Sequence, residues 1–488
     1  MTLGFIAGLP NEASVLLIIC LAAVCFFEAI NGFHDTANAV ATVIYTKTLP
    51  PVFAVIWSGF WNFLGALLGG VAVAMGIVKL MPLNDLMTVP LGENIALVLS
   101  ILVAAIAWNL GTWYYGIPCS SSHTLIGSLL GSGFAFWTVH GGAGPNWDKA
   151  KDIGLSLLVS PLFGFSLAVL LMFILRTTIR QKTIFKSPDE TKKAPPMWIR
   201  AILITTCTLV SYFHGNNDGQ KGVGLLLVVM MAFLPVQFAL NPKLPPGDLA
   251  GTARTIESTL TQSAAANPDH ATGLITLAGK CNGLAVQLDS TDTQSKAEVF
   301  AARKGIQSLN KSLESGVKDG VITGEAASKV KSEVKNLAKS YEFSPIWIVA
   351  LIAICLGAGT MIGWKRIVVT IGEKIGKTHL TYAQGASAEL CAAATIGVSS
   401  AFGLPVSTTH VLSSGIAGTM VAQGGVKNLR KKTITNIALA WLLTLPVTMV
   451  ASALLYFLFR LFPEPVLFGS DGIDTCDCVD KYEFIPLV

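Results

Sequence analysis

The chain has 488 residues, 52% of them hydrophobic and only 13% charged, against about 25% charged in a soluble domain. That composition excludes an ordinary water-soluble protein. Several apolar stretches also reach the roughly 20 residues a helix needs to cross a bilayer. The 34 basic and 29 acidic residues leave a net charge of only +5. Its placement along the loops matters more than its size, and no nucleic-acid partner is expected.

The predicted spans run over residues 14–45, 52–79, 93–115, 120–138 and 153–176, then 197–235, 344–363, 382–402, 407–423 and 433–461. The first 13 residues contain no Lys or Arg, so no basic region of a secretory signal precedes the first span, which is expected to stay in the mature protein. Spans 14–45 and 197–235 are too long for one plain helix and carry a polar motif in the middle. Both are therefore predicted to be broken. Stretches 116–133 and 403–420 open with Gly-x-Pro and a run of hydroxyl residues, which suits a helix start or a re-entrant hairpin. The expectation is an all-α polytopic membrane protein of about 10–12 transmembrane helices with broken or re-entrant segments.

Basic loops set the orientation, because cytoplasmic loops are rich in Lys and Arg. Arg176, Arg180, Lys182, Lys186, Lys192, Lys193 and Arg200 follow the fifth span. Lys365, Arg366, Lys374 and Lys377, and then Lys427, Arg430, Lys431 and Lys432, form two later clusters, whereas Met81 to Asn94 holds none. All three clusters fall inside if the N-terminus is outside. An odd number of spans on each side of the first cluster makes the halves two inverted-topology repeats. The expected organisation is a first repeat at 1–180, a cytoplasmic linker at 181–196, and the start of the second repeat at 197–240. A soluble helical insert at 241–343, placed in the periplasm, is followed by the rest of the second repeat at 344–462 and a tail at 463–488. Within the insert, Ile306, Leu309, Leu313 and Val317 recur at helical spacing, as do Val330, Val334, Leu337 and Tyr341.

The halves also repeat in their motifs. Gly116-Ile117-Pro118-Cys119-Ser120-Ser121-Ser122-His123-Thr124-Leu125 returns as Gly403-Leu404-Pro405-Val406-Ser407-Thr408-Thr409-His410-Val411-Leu412, and Asn31-Gly32-Phe33-His34-Asp35 is answered by His214-Gly215-Asn216-Asn217-Asp218. Polar interruptions at matching places in two apolar halves point to a transporter's substrate site. Free N–H groups, the helix dipole and hydroxyl side chains at a helix start can hold a tetrahedral oxyanion without a fixed positive charge. Ser120, Ser121, Ser122, Ser407, Thr408, Thr409 and Asn217 are the candidate oxyanion ligands. Asp35, Asn38 and Asp218 are the candidate cation or coupling residues, since a carboxylate in apolar surroundings needs a proton or a cation. Lys221 can pair with Asp218 or meet the anion. Glu28, His34, His123, His214 and His410 are candidates for a proton relay.

Cys20, Cys25, Cys119, Cys207, Cys355 and Cys391 lie in apolar segments and read as packing residues, and Cys281 lies in the insert. Cys476 and Cys478 in the acidic tail are either spare thiols or a soft-metal site. No bound metal and no cofactor are assigned to the transport site.

The run from Glu28 to Ala39, the run from His214 to Gly222 and the two hydroxyl stretches resemble the inorganic phosphate transporter (Pit) family, in particular its bacterial low-affinity branch. The resemblance covers nearly all of the chain except the insert and the tail. It implies a symporter of inorganic phosphate in a bacterial inner membrane, coupled to H+ or Na+, with a neutral divalent metal–phosphate complex as one form of the substrate. A homodimer is carried as one option for assembly. His34 stands where the family's usual signature has Asn, which leaves the choice of cation open. Symport of another tetrahedral oxyanion such as sulfate or arsenate is the alternative, and an intramembrane metal-dependent hydrolase built on His34, Asp35, His214 and Asp218 is a remote one. The absence of a Gly-x-x-x-x-Gly-Lys loop argues against a directly ATP-driven pump.

Overall fold

The computed structural model describes residue 9 and residues 11–86, 89–188, 195–293 and 295–461, with the side chains of residues 36–38, 84, 296 and 373 outside the description. The linker 181–196 is therefore covered only in part. The tail from 463 on, with Cys476 and Cys478, lies outside the described residues. What is described consists of helices and turns, joined once by an isolated antiparallel bridge between Gly376 and Leu429.

The first half comprises α1 (Asn11–Tyr45), α2 (Pro51–Leu68), α3 (Ala72–Val78), α4 (Leu91–Tyr114), α5 (Ser121–His140) and α6 (Trp147–Thr178). The second opens with α7 (Met197–Phe233). Four helices follow: α8 (Pro246–Ala266), α9 (Ala271–Asp289), α10 (Lys296–Lys318) and α11 (Gly324–Ala338). The half closes with α12 (Ile346–Thr360), α13 (Tyr382–Ala401), α14 (Thr408–Gly424) and α15 (Lys431–Phe459). The chain divides into two compact units, one of Leu16–Val229 with Ser344–Glu464, the other including Met230–Phe343.

In the larger unit, α1, α2, α4, α6 and α15 are long and apolar enough to cross a membrane, and α12 with Lys365–Gly372 makes a sixth candidate bent by 56°. That number is below the ten to twelve expected because α5, α7, α13 and α14 are too polar or too short to qualify by apolarity. Most of their polar residues face the interior instead of lipid. Every residue from Ser121 to Gly133 of α5 is buried, as is every residue from Thr408 to Ser413 of α14.

The packing exchanges the two halves. Helix α5 lies against α15 and α14 against α6; α4 packs on α5 and α15, and α13 correspondingly on α14 and α6. Helices α2 and α12, which occupy matching places in the two halves, pack on each other. Each hydroxyl-bearing helix thus rests on the long helix that ends the other half. A common core of Val40, Val43, Leu203, Tyr382, Ile396, Val411 and Leu412 joins elements of both halves.

The expectation of broken helices at 14–45 and 197–235 is corrected. Helices α1 and α7 run unbroken through Asn31–Asp35 and His214–Asp218. The motif glycines serve close helix crossing instead of a break. A Cβ at Gly32 would lie 2.4 Å from the Leu356 carbonyl oxygen on α12, and one at Gly215 would lie 2.1 Å from the Asn62 carbonyl oxygen on α2. Only small residues permit such approach between membrane helices. The true bend follows α12, where Gly363 takes a φ of 69°.

The other unit has its own core. Leu249, Ile256 and Leu260 of α8, Leu274, Cys281 and Leu284 of α9, Ile306, Leu309 and Leu313 of α10, and Val330, Val334 and Leu337 of α11 bury together, with Val317 and Tyr341 half-buried against them. The buried Arg303 donates to the Ala239 carbonyl and lies 5.9 Å from the Tyr341 ring. Burial pushes its pKa from 12.5 down to about 10, so it remains charged at neutral pH.

The crossing at Gly215 yields a stability prediction. Gly215→Ala places a methyl group against backbone and should destabilise the detergent-solubilised protein by about 1–3 kcal/mol or more, read as a lower thermal midpoint. Gly279→Ala, where nothing lies within 4 Å, should not lower it.

Candidate functional site

Both hydroxyl clusters stand at helix starts. Gly116 and Gly403 take φ values of 64° and 66°, a region that favours glycine, and turn the chain into Ile117-Pro118 and Leu404-Pro405. Helices α5 and α14 then begin at Ser121 and Thr408. Ser120 Oγ caps α5 by accepting from the His123 N–H at 3.2 Å, and Ser407 Oγ caps α14 by accepting from the His410 N–H at 3.2 Å. These two hydroxyls are committed to capping. The His123 and His410 rings lie 4.6 Å apart, and His410 stacks on Trp441 of α15 at 3.9 Å, so the two helix starts face each other.

They converge on the carboxylates. Asp35 and Asp218 are 2% and 0% exposed. Ser121 Oγ donates to Asp35 Oδ2 at 2.8 Å, and Thr409 Oγ1 donates to Asp35 Oδ1 from the other half. Lys221 Nζ donates to Asp218 Oδ1 at 2.6 Å, to the Val406 carbonyl at 2.8 Å, and to Ser122 Oγ, which itself donates to Val406 O at 2.9 Å. Asp35 is therefore served by the hydroxyl-bearing helices of both halves, and Lys221, the partner of Asp218, by Ser122 of the opposite half.

His214 links the two. Its Nε2 lies 4.0 Å from Asp35 Oδ2 and 3.6 Å from Asp218 Oδ2, and its Nδ1 meets Asn62 Oδ1 at 2.7 Å. Asp35, His214 and Asp218 bring one ligand atom each within 4.8 Å of one another, a spacing a cation can bridge. Among the described residues, His214 Nε2, Asp218 Oδ2 and Thr408 Oγ1 are buried without a hydrogen-bond partner. Buried polar atoms in that state favour a ligand.

The remaining candidates are placed as follows. Asn217 commits its amide to the second turn, donating to Ser400 Oγ at 2.8 Å and Leu404 O at 3.2 Å and accepting from the Val406 N–H at 3.2 Å. It fastens that turn instead of facing a ligand. His34 lies 3.7 Å from Asp35 Oδ1 and reaches Thr112 Oγ1 at 3.3 Å. Glu28 accepts from Asn31 Nδ2 at 2.9 Å; a Cβ at Gly222 would fall 2.3 Å from its other oxygen, so Glu28 sits beside the turn of helix that carries Lys221. Asn38 lies outside the described side chains.

Motif pairing missed Glu389 on α13. It is fully buried and accepts from Thr42 of α1 and from Thr206 of α7 at 2.5 Å. An acidic residue inside the apolar span 382–402 was the available signal.

A helical membrane bundle whose duplicated halves aim polar helix starts at a buried carboxylate pair is the architecture of a membrane transporter. The sequence matches the phosphate transporter family over residues 31–452, and the chain belongs to that family. It is 40% identical to the low-affinity inorganic phosphate transporter PitA of Escherichia coli strain K12, over 93% of this chain and 99% of that protein. It is 41% identical to a low-affinity inorganic phosphate transporter of Buchnera aphidicola subsp. Acyrthosiphon pisum, over 91% and 96%, and 30% identical to a probable one of Bacillus subtilis strain 168, over 92% and 97%. Among solved structures, a sodium-dependent phosphate transporter shares the fold with a TM-score of 0.52 at 21% identity, covering 92% of this chain and 100% of that one. The chain is a transporter, not an enzyme.

The ion pair in the site gives a double-variant prediction. Lys221→Met leaves Asp218 buried without its cation and should cost about 3–5 kcal/mol. Lys221→Met with Asp218→Asn should recover part of that loss. Thermal unfolding of the three proteins in detergent measures it; equal midpoints for the single and double variants would show that the two residues are not coupled.

Proposed function

We propose that the protein is a secondary active symporter that takes up inorganic phosphate across a bacterial inner membrane, driven by H+ or Na+. The observation that carries this is the convergence of two helix N-termini, one from each half, on Asp35 with the Lys221–Asp218 pair alongside. Helix-start N–H groups and Thr408 supply neutral donors to the phosphate oxygens, joined by Ser121, Ser122 and Thr409 once their hydroxyls exchange Asp35 and the Val406 carbonyl for the anion. Lys221 adds one positive charge. Asp35, Asp218 and His214 bind the coupling cation, so that cation and anion offset each other's charge in a low-dielectric site. A carboxylate beside the anion accepts the proton of HPO4²⁻, which sulfate lacks, and so favours phosphate. The same three cation ligands also support a divalent metal–phosphate complex as cargo. Transport proceeds by alternating access as the two inverted repeats rock about this site, with the basic loops cytoplasmic and the helical insert periplasmic.

Phosphate uptake into proteoliposomes, with proton and sodium gradients imposed separately, tests the proposal. One gradient should drive concentrative uptake, and Asp35→Asn and Asp218→Asn should each abolish it while leaving the protein inserted. Uptake indifferent to both gradients would refute symport.

Ligand affinity tests the anion shell. Ser121→Ala and Thr408→Ala should each weaken phosphate binding by roughly 0.5–1.5 kcal/mol, and the double variant should depart from the sum because both residues share one ligand. Unchanged affinity in all three would leave the clusters only their structural roles.

A further inference from the structure

A cavity of about 650 Å³ opens between the end of α4 and the bend after α12, lined by Trp113, Tyr114, Tyr115, Trp364, Lys365 and Lys374 among others. It is separate from the carboxylate site, and the transport mechanism makes no use of it. Arg366 builds its wall. The Arg366 guanidinium donates from Nη1 to the Tyr114 carbonyl at 2.8 Å, and its carbon lies 5.1 Å from both the Trp113 and the Tyr114 rings. It thus satisfies the end of α4 and holds the aromatic face in place. Lys365 and Lys374 are different. Both are exposed, and among the described residues neither has an ion-pair partner.

We propose that this cavity binds the headgroup of an anionic phospholipid. Two exposed ammonium groups beside a fixed aromatic wall recognise a phosphate ester. A free phosphate ion would fit the lysines but not their surroundings. Tyr114 and Tyr115 are 60% and 76% exposed, and Ile362, next to the cavity-lining Gly363, is 66% exposed. That mixture of aromatic, aliphatic and basic groups is the composition of a membrane interface, where the apolar shoulder meets glycerol and acyl chain while the lysines meet the phosphate.

Occupancy would act on the transport site through one short stretch of chain. Thr370 Oγ1 donates to the Gly116 carbonyl at 2.9 Å, and Trp113 Nε1 donates to the Gly363 carbonyl at 2.9 Å. Gly116 opens the turn that leads to Ser120, Ser121 and Ser122. The matching turn of the second half is fastened by Asn217. The first-half turn is held from the cavity wall, so a bound headgroup braces the hydroxyl cluster of that half.

The test titrates the purified full-length protein in neutral detergent micelles with phosphatidylglycerol, phosphatidylcholine or inorganic phosphate and follows the thermal midpoint. Phosphatidylglycerol should stabilise the wild type and phosphatidylcholine should not. Lys365→Gln and Lys374→Gln should each weaken the apparent affinity for phosphatidylglycerol about fivefold, and the double variant roughly 25-fold. The double variant should keep the wild-type midpoint without lipid, because both lysines are exposed. Equal titration midpoints in the wild type and the double variant, or equal stabilisation by phosphatidylcholine, would overturn the proposal. Stabilisation by inorganic phosphate that disappears in the double variant would overturn it too, since the cavity would then be a site for soluble phosphate.

Discussion

Two carboxylates buried inside a membrane protein cannot stand alone, and most of this structure follows from supplying them with partners. An unpaired ion in such surroundings costs several kcal/mol. Asp35 is supplied by Ser121 and Thr409, Asp218 by Lys221 with Ser122 behind it. Thr409 serves Asp35 and Ser122 serves Lys221 across the boundary between halves, so the halves must interleave. The interleaving depends on the glycine crossings at Gly32 and Gly215, which let α1 and α7 approach their neighbours closely. It depends equally on the Gly-x-Pro turns that point α5 and α14 at the carboxylates.

The two halves match in sequence but not in charge. Asp218 meets a lysine at 2.6 Å, whereas Asp35 meets neutral hydroxyls and imidazoles. The first is an ion pair made through Oδ1. The second is held by hydroxyls from both halves, with the His34 and His214 rings close by. His214 stands between them within 4.0 Å of both, the position from which a change at one carboxylate is felt at the other. An exact two-fold would make two equal sites; Lys221, with no basic counterpart at Asn38, breaks that equality.

The membrane class, the duplicated motifs and the helix starts at Ser121 and Thr408 were legible in the sequence because each rests on local chemistry: apolarity, or proline and hydroxyls where a helix begins. What escaped was set by tertiary contact. A glycine inside a polar motif reads as a break when its neighbours are unknown; at Gly32 and Gly215 the neighbour is another helix's backbone. Asn217 reads as a ligand until the 400–406 turn that occupies it is in place. Glu389 was passed over because a search by paired motifs cannot find a residue without a partner in the other half. Its own partners, Thr42 and Thr206, come from α1 and α7, far away in sequence.

Unbroken α1 and α7 also relocate the freedom that transport requires. A helix that is continuous through its carboxylate moves as a rod, carrying Asp35 or Asp218 with it. The sharp changes of direction lie in the glycine turns before α5 and α14 and in the 56° bend after α12. The two turns are fastened differently, one by Asn217 of α7 and the other by Thr370 beyond the bend. The Gly403 turn is therefore tied to α7, and the Gly116 turn to the segment beyond the bend. Under the proposed rocking, matching elements are thus not equivalent: the second-half hydroxyl cluster is anchored to the carboxylate helix α7, and the first-half cluster to the segment around Thr370.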